Sequence, residues 1–431
     1  MKQSIFLFLV LFVTIGSLPN RHAVSAETPT IISKVQSGVD YYRNTIKVSE
    51  SHPVLPGLDV LVADHFKVLE GKRVGVVSNH TGIALDGTPI VKLFHNAPNV
   101  NLVAVFAPEH GFTGLVEAGV RVDNEKDPIT GLAIYSLYGK TERPAPESLE
   151  NIDVLVFDMQ DIGARFYTYI STMLYCMEEA AKKKIAFVVL DRPNPIRGDK
   201  VEGPVSEEAK NSIVSCHPIA LRHGMTVGEL ALLFAIECNL DLDLHVVPCL
   251  GWKRSMDFEA TGLPWINPSP NMRSLTAEYL YTCICLVESS NMSLGRGTDI
   301  PFEWVGAPWI DAESFVAALR RNAKQVGLQG VRFEPYPLTP RASVHKDILC
   351  PGVRFVLENP DSLLPVRMGI VLLTTLRKEY PEKWNAKFSG LLANSQTEKL
   401  ILENASVAEI EADAKAEFDR FLQRRKKTLL Y

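Results

Sequence analysis

The sequence has no long run of like charge apart from the RRKK at 424–427, and its net charge is only −5. It lacks the basic stripe that a phosphate backbone requires, so nucleic acid is not predicted as a partner. No GxGxxG follows the first strand-like segment and no Walker A loop occurs, which removes the usual support for a nucleotide cofactor. No GxSxG elbow occurs either, which lowers acyl transfer as a reading. The seven cysteines (Cys176, Cys216, Cys238, Cys249, Cys283, Cys285 and Cys350) show neither CxxC nor zinc-finger spacing. No cofactor and no resident metal are therefore predicted, and the odd cysteine count leaves disulfide pairing open. Internal repeats and low-complexity tracts are absent as well.

One apolar run stands apart. Lys2 precedes IFLFLVLFV, and VSA precedes Glu27, the layout of a signal peptide over residues 1–26. The run is shorter than the roughly 20 residues a spanning helix needs, and no cysteine follows it to carry a lipid. The expectation is export to the periplasm or the outside, with no stable membrane insertion after cleavage.

The length of 431 residues points to two domains, and 46% apolar with 22% charged residues permits packed cores. After a mixed lead-in over 27–56, the segments KRVGVVSN, NLVAVFAP, IDVLVFDM and IAFVVLDR are short, β-branched and almost continuously apolar. Such runs suit strands buried on both faces of a parallel sheet. Helical spacing separates them: Ile170, Met173, Leu174 and Met177 recur at i, i+3, i+4, i+7, as do Val227, Leu230, Ala231 and Phe234 after Thr226. LHVVPCL reads as a further strand. The fold class is α/β: a Rossmann-like, mostly parallel sheet domain over 57–272, then a smaller α+β C-terminal domain over 273–431. TGLPWINPSPNM reads as a long surface loop or linker, YTCICLVE, VRFEPYPLTP and GVRFVLEN as strands. Helices are expected from near Asp311, over 365–380, and from Ser406, whose spacing to Glu409 is that of a capping box.

Each of the four best strands ends in polar residues: SNHTG, PEHG, DMQD and DRPNP. Ligands of open parallel sheets bind outside the carboxyl ends of the strands. Parallel order gathers Asn79, His80, Glu109, His110, Asp158, Gln160, Asp161, Asp191, Arg192 and Asn194 at one edge. Carboxylates, amides, tyrosines and arginines together suit a sugar site, where two carboxyl groups divide the acid and the base or nucleophile roles. Glu109 is the first candidate: held between Pro108 and Gly111 and pressed by Phe112, it would lose hydration and favour the neutral form of a general acid. Asp158 or Asp161 could act at the sugar centre, with Arg165, Tyr167 and Tyr169 close behind. Equally, Asp161 could cap the following helix while Arg165 pairs with Asp158. Arg222 and His223 lie just upstream of the helix opened by Thr226 and could point into the edge. In NMSLGRGTD, Arg296 sits between two glycines and could grip a carboxylate in bidentate fashion.

Taken together, KRVGVVSNHTG, APEHGFTG, YSLYGKTERPAPE, DVLVFDMQDIGARFYTYIST, VLDRPNPIRG, VEGP, RHGMTVGELA, TGLPWINPSPNM, SSNMSLGRGTDIPFEWVGAPW and RRKKTLLY resemble the NamZ family of exo-β-N-acetylmuramidases, in order from about residue 57 to the end. The resemblance implies a Rossmann-like domain, a smaller C-terminal domain and a cleft near their contact. It implies hydrolysis of terminal non-reducing MurNAc from peptide-free peptidoglycan fragments such as MurNAc-GlcNAc, so the implied partners are peptidoglycan-derived saccharides. The glutamate of the family's PEHG motif falls on Glu109. The sequence departs from the family pattern at Tyr281-Thr282 and Ser289-Ser290, while Glu288 and Asn291 keep their places; the departure bears on substrate preference. MurNAc carries a lactyl carboxylate, for which Arg296, Arg222 and Arg165 are the candidate cations. Two other readings use the same residues: a binding protein that grips wall fragments without cleaving them, and a metal-dependent hydrolase built on His110, Asp158 and His223.

Overall fold

A computed structural model describes residues 28–388 and 390–431, so the expected signal segment lies outside the described residues. The apolar runs form β1 (Arg73–Ser78), β2 (Asn101–Ala107), the short β3 (Glu125–Lys126) and β4 (Ala133–Ser136), then β5 (Val154–Asp158) and β6 (Ala186–Leu190). A hairpin of β7 (Glu202–Val205) and β8 (Ala220–Arg222) precedes β9 (Leu244–Val247). The main sheet runs β3-β4-β2-β1-β5-β6-β9 and is parallel except for β3.

Side-chain alternation explains the continuous apolar runs. Along β5, Val154 and Val156 face one core with Val74, Val76, Val188 and Leu190, while Leu155 and Phe157 face the other with Phe187 and Val189. The first face is covered by α2 (Gly57–Ala63) and α3 (Ile90–Asn96), preceded by α1 (Thr28–Thr45), which contributes to both cores. The second is covered by α4 (Tyr169–Lys183) and α5 (Val227–Glu237). The capping box at Thr226 and Glu229 forms as its spacing implies.

The ends of the central strands are level: Ser78 lies opposite Asp158, Val77 opposite Phe106, and Phe157 opposite Val189. The chain moves outward from β1 through β2 to β4, then returns to β5 on the other side of β1. That reversal is a topological switch point, the place where such sheets open a crevice at their carboxyl edge.

One expected strand is a helix. YTCICLVE continues α6 (Leu275–Ile284) and runs into a 3₁₀ turn at Cys285–Val287. The Ser274 side chain caps α6 by accepting from the Ala277 amide at 3.0 Å. The run is buried on every side, and an all-round apolar run carries no period to separate helix from strand. The smaller C-terminal region adds β10 (Trp304–Gly306), α7 (Ala312–Gln325), β11 (Val331–Pro335) and β12 (Gly352–Leu357) in an antiparallel sheet of order β10-β12-β11. It closes with α8 (Pro365–Glu379), α9 (Ser395–Leu402) and α10 (Val407–Lys426). Among the described residues no helix is long and apolar enough to cross a membrane.

The last residues return to the sheet edge. Asp191, at the end of β6, is fully buried and accepts from the Gly228 amide at 2.8 Å, Thr226 Oγ1 at 2.8 Å and Tyr431 Oη at 2.7 Å. Gly228 must be glycine here, because a Cβ would sit 2.8 Å from the Asp191 carboxyl. Tyr431 also accepts from the Cys249 amide at 2.7 Å. The Tyr431→Phe change should therefore lower unfolding free energy by about 1–3 kcal/mol in urea titrations, since two buried groups lose a partner. Burial pushes the Asp191 carboxyl up to about 7. The folded chain keeps a proton that the unfolded chain releases near pH ~4. The group's stabilising contribution is thus whole below that range and is lost as pH rises through about 7. The Asp191→Asn variant should show a flatter stability slope across that window.

Candidate active site

A cleft of about 280 Å³ opens beside the ends of β2 and β4, lined by Glu109, His110, Tyr138, Tyr167, Glu288 and Arg296, with Phe166 and Phe302 as apolar wall. A larger groove of about 340 Å³ lies between β7, α8 and α10, but aliphatic side chains and surface charges line it and no strand end of the main sheet reaches it.

Glu109 follows β2 and Pro108. His110 and Gly111 both take left-handed backbone, φ 70° and 74°, which turns the chain sharply after the glutamate. A non-glycine residue held there is a form of strain that recurs at functional sites. Glu109 is 8% exposed; its Oε1 accepts from the Gly119 amide at 2.9 Å and its Oε2 from Thr168 Oγ1 at 2.8 Å. The expected press of Phe112 is not what holds it, because Phe112 packs with the core on the α2–α3 side of the sheet. Tyr138, just beyond β4, stands beside the carboxylate. Burial first, then the charge of Glu109 and a hydrogen bond to it, hold the Tyr138 hydroxyl well above its ordinary range. His110 binds the Val116 carbonyl through Nδ1 at 2.7 Å, so that ring anchors the following loop.

The TGLPWINPSPNM segment is irregular, as expected, but it is no free linker. Tyr169 Oη donates to the Pro268 carbonyl at 2.6 Å, and His80 Nε2 lies 2.7 Å from the Asn267 carbonyl. Asn271 donates to Glu117 at 3.1 Å and accepts from the Gly297 amide at 3.0 Å, joining the loop after Glu109 to the loop that carries Arg296. Arg296 pairs with Glu288, Nε to Oε1 at 2.7 Å, and its guanidinium lies 4.8 Å from the Phe302 ring centre. Tyr281, one of the departures from the family pattern, falls in the cleft wall with ring centres 4.7 Å from Phe302 and 5.2 Å from Phe166.

Of the residues read from sequence, Glu109, His110, Tyr167, Glu288 and Arg296 line the cleft. The others brace it. Asp158 is fully buried and held by Arg192 through Nε at 2.6 Å and Nη2 at 2.9 Å, so it does not reach a sugar, and the alternative of an Asp158–Arg165 pair is also replaced. Asp161 accepts from the Gly163 amide at 2.8 Å, capping a turn rather than a helix. Arg165 spends its guanidinium on the carbonyls of Pro204, Ile219, Leu391 and Leu392 at 2.7–3.1 Å. Arg222, 1% exposed, pairs with Glu202 at 2.7 Å. Asn79 bonds Tyr169, Gln160 the Asp161 and Pro193 carbonyls, Asn194 the Met225 carbonyl, and Asn291 the Lys383 carbonyl. His223 faces Asp161 at 3.4 Å. His110, Asp158 and His223 therefore sit in separate environments, and among the described residues no three His, Cys, Asp or Glu side chains converge on a metal position. No disulfide joins the seven cysteines.

Tyr138, Thr168, Ser269, Asn271, Tyr281 and Phe302 also line the cleft and were not picked out as site residues from sequence. Tyr138 had a usable signal, since it follows a fifth parallel strand, but β4 is only four residues long. Thr168 reads as an ordinary helix opener, yet its hydroxyl makes no cap to α4.

Behind the cleft, Glu278 is 1% exposed and neither carboxyl oxygen has a protein partner among the described residues. Burial, with Asp161 second, holds this carboxyl well above the ordinary range.

Comparison with known proteins places this geometry. Residues 74–276 match the model for the N-terminal domain of the exo-β-N-acetylmuramidase NamZ, and residues 279–431 match its C-terminal domain. The chain is 39% identical over 435 residues to the peptidoglycan β-N-acetylmuramidase NamZ of Bacillus subtilis (strain 168), with all of both chains covered. Two crystal structures of DUF1343 family proteins from Bacteroides fragilis NCTC 9343 are similar. One is 38% identical with a TM-score of 0.80, the other 33% with 0.69; each covers 88% of this chain and 99% of its own.

Two of the buried acids outside the cleft, Asp158 and Glu278, should respond very differently to amide substitution. Asp158→Asn leaves Arg192 without its carboxylate and should destabilise by about 3–5 kcal/mol. Glu278→Gln replaces a carboxyl whose neutral form burial favours and should stay within about 1 kcal/mol. Chemical denaturation of both variants at neutral pH checks the contrast.

Proposed function

The chain belongs to the exo-β-N-acetylmuramidase NamZ family of glycosidases, and from that premise we propose that it releases terminal non-reducing MurNAc from peptide-free peptidoglycan fragments such as MurNAc-GlcNAc, acting after export in cell-wall turnover or recycling. The observation that carries this reading is that the Glu109 carboxyl and the Arg296 guanidinium line the same cleft. Glu109 protonates the glycosidic oxygen, and the bond from that oxygen to the anomeric carbon breaks as its electron pair moves to oxygen.

The group that assists at the anomeric carbon is the substrate's own acetamido carbonyl. What supports this is the placement of the carboxylates: Asp158 and Asp161 are outside the cleft lining, and Glu288, which lines it, is engaged by Arg296. Arg296 meets the lactyl carboxylate through Nη1 and the second N–H of Nη2, since Nε and Nη2 each give one donor to Glu288. Its planar fork suits bidentate recognition of that group, and a sugar without the carboxylate leaves the fork underused. Arg222 and Arg165 have no such part, since both are buried outside the cleft lining and carbonyls and Glu202 engage both terminal nitrogens of each.

The test is incubation with MurNAc-GlcNAc and with chromogenic MurNAc and GlcNAc glycosides, with and without chelator. Wild-type protein is expected to release MurNAc and to discriminate against the GlcNAc glycoside. Glu109→Gln should cut disaccharide cleavage by about 100-fold or more; a folded variant that still releases MurNAc at the wild-type rate removes Glu109 from the reaction. Saturable binding without new reducing ends in the wild type would mark a binding protein instead. Arg296→Met should lower the preference for MurNAc over GlcNAc by at least about 10-fold.

A further inference from the structure

Besides the Tyr138 hydroxyl that stands beside the carboxyl, the two oxygens of Glu109 are held by partners of very different rigidity. Oε2 accepts from Thr168 Oγ1 at 2.8 Å. Thr168 is 6% exposed and opens α4, with its carbonyl accepting from the Thr172 amide at 2.9 Å. A threonine in that position ordinarily turns its hydroxyl onto the amides of its own helix, but here it makes no such cap. Oε1 accepts from the Gly119 amide at 2.9 Å. Gly119 lies in the exposed stretch 117–121, takes φ 75°, and has open space where a Cβ would stand. Apart from the Gly119–Glu109 bond and an internal turn bond from the Val120 amide to the Glu117 carbonyl at 3.2 Å, that stretch is tied at its ends, through Val116 to His110, Glu117 to Asn271 and the Val122 amide to the Tyr138 carbonyl at 2.7 Å.

Resting on the reading of Glu109 as general acid, we propose that Thr168 is the positioning residue that fixes Glu109 through Oε2, and that Oε1 is the oxygen that delivers the proton. The reason is donor arithmetic. Protonation makes Oε1 a donor and a much poorer acceptor, so the proton and the Gly119 N–H compete for that oxygen. The exposed stretch is free to withdraw that amide as a saccharide enters. The Thr168 hydroxyl can rotate and keep Oε2 in either protonation state, so the carboxyl stays aimed while its other oxygen is released. The proton then passes from Oε1 to the glycosidic oxygen, the bond to the anomeric carbon breaks with its electrons on that oxygen, and Glu109 is left as carboxylate.

The experiment compares Thr168→Val and Thr168→Ser on MurNAc-GlcNAc and on an aryl MurNAc glycoside whose activated leaving group needs little protonation. Misplacing a general acid should lower kcat on the disaccharide by about 10-fold or more with KM nearly unchanged. It should lower kcat on the activated glycoside less than about 2-fold, because that leaving group departs without help. Thr168→Ser should restore the disaccharide rate. An equal fall on both substrates, no fall on the disaccharide, or failure of serine to rescue would overturn the role of Thr168. Hydrogen exchange over 117–121 tests Oε1: a non-cleavable thio-linked MurNAc-GlcNAc should reduce protection at Gly119, and unchanged or increased protection overturns that half. Glu109→Gln separates the two levels. If it cleaves the disaccharide at the wild-type rate, the general-acid reading itself fails; if it is inactive while Thr168→Val matches wild type, only the positioning role does.

Discussion

The guanidinium of Arg165 is the joint on which the cleft depends. It is wholly buried, and burial pushes it down to about 9 from the ordinary arginine range. Its partners are carbonyl oxygens from β7, from the residue before β8, and from the Leu391–Leu392 segment. A cation placed so deep is expensive unless its donors are satisfied, so the three segments and the 164–168 turn must assemble together. The next three residues, Phe166, Tyr167 and Thr168, are cleft wall. The position of the group that holds Glu109 is therefore set by a contact that no sugar touches.

A second joint, Asn271, works at the rim. It ties the loop after Glu109 to the Arg296 loop with one side-chain amide. Glu109 comes from the parallel sheet, whereas Arg296, Glu288 and Tyr281 come from the C-terminal region. A residue in a proline-rich stretch thus fixes the distance between the two halves of the site, which gives the low regularity of that stretch a mechanical use.

The carboxyl edge of the sheet sorts its charges by function. Asp158 is paired with Arg192, and Asp191 is wrapped by hydroxyl and amide donors. Of these strand-end carboxyls, it is Glu109, after β2, that lines the cleft. Polar strand ends were legible as a cluster because level parallel strands must place them together. Which member faces solvent was not, because Asp158 and Glu109 have similar local sequence surroundings and differ only in what the neighbouring strands bring over them. β2 has the short β4 as its neighbour on one side, whereas the ends of β5 and β6 are covered by Arg192 and by the returning C-terminal Tyr431.

The sequence by itself determined the parallel sheet, the two-face burial of its strands, the helix start at Thr226, the capping box at Ser406, and Glu109 as the glutamate after a strand end. These follow from short-range rules: periodicity, capping spacing and the carboxyl-end geometry of parallel strands. The tertiary structure decided the rest. It made a helix of the YTCICLVE run, turned Arg165 and Arg222 inward, and brought Tyr138, Thr168 and Arg296 to one cleft. Those outcomes rest on contacts between residues far apart in the chain, such as Glu109 with Thr168 or Arg165 with Leu391, and no local pattern encodes a partner that distant.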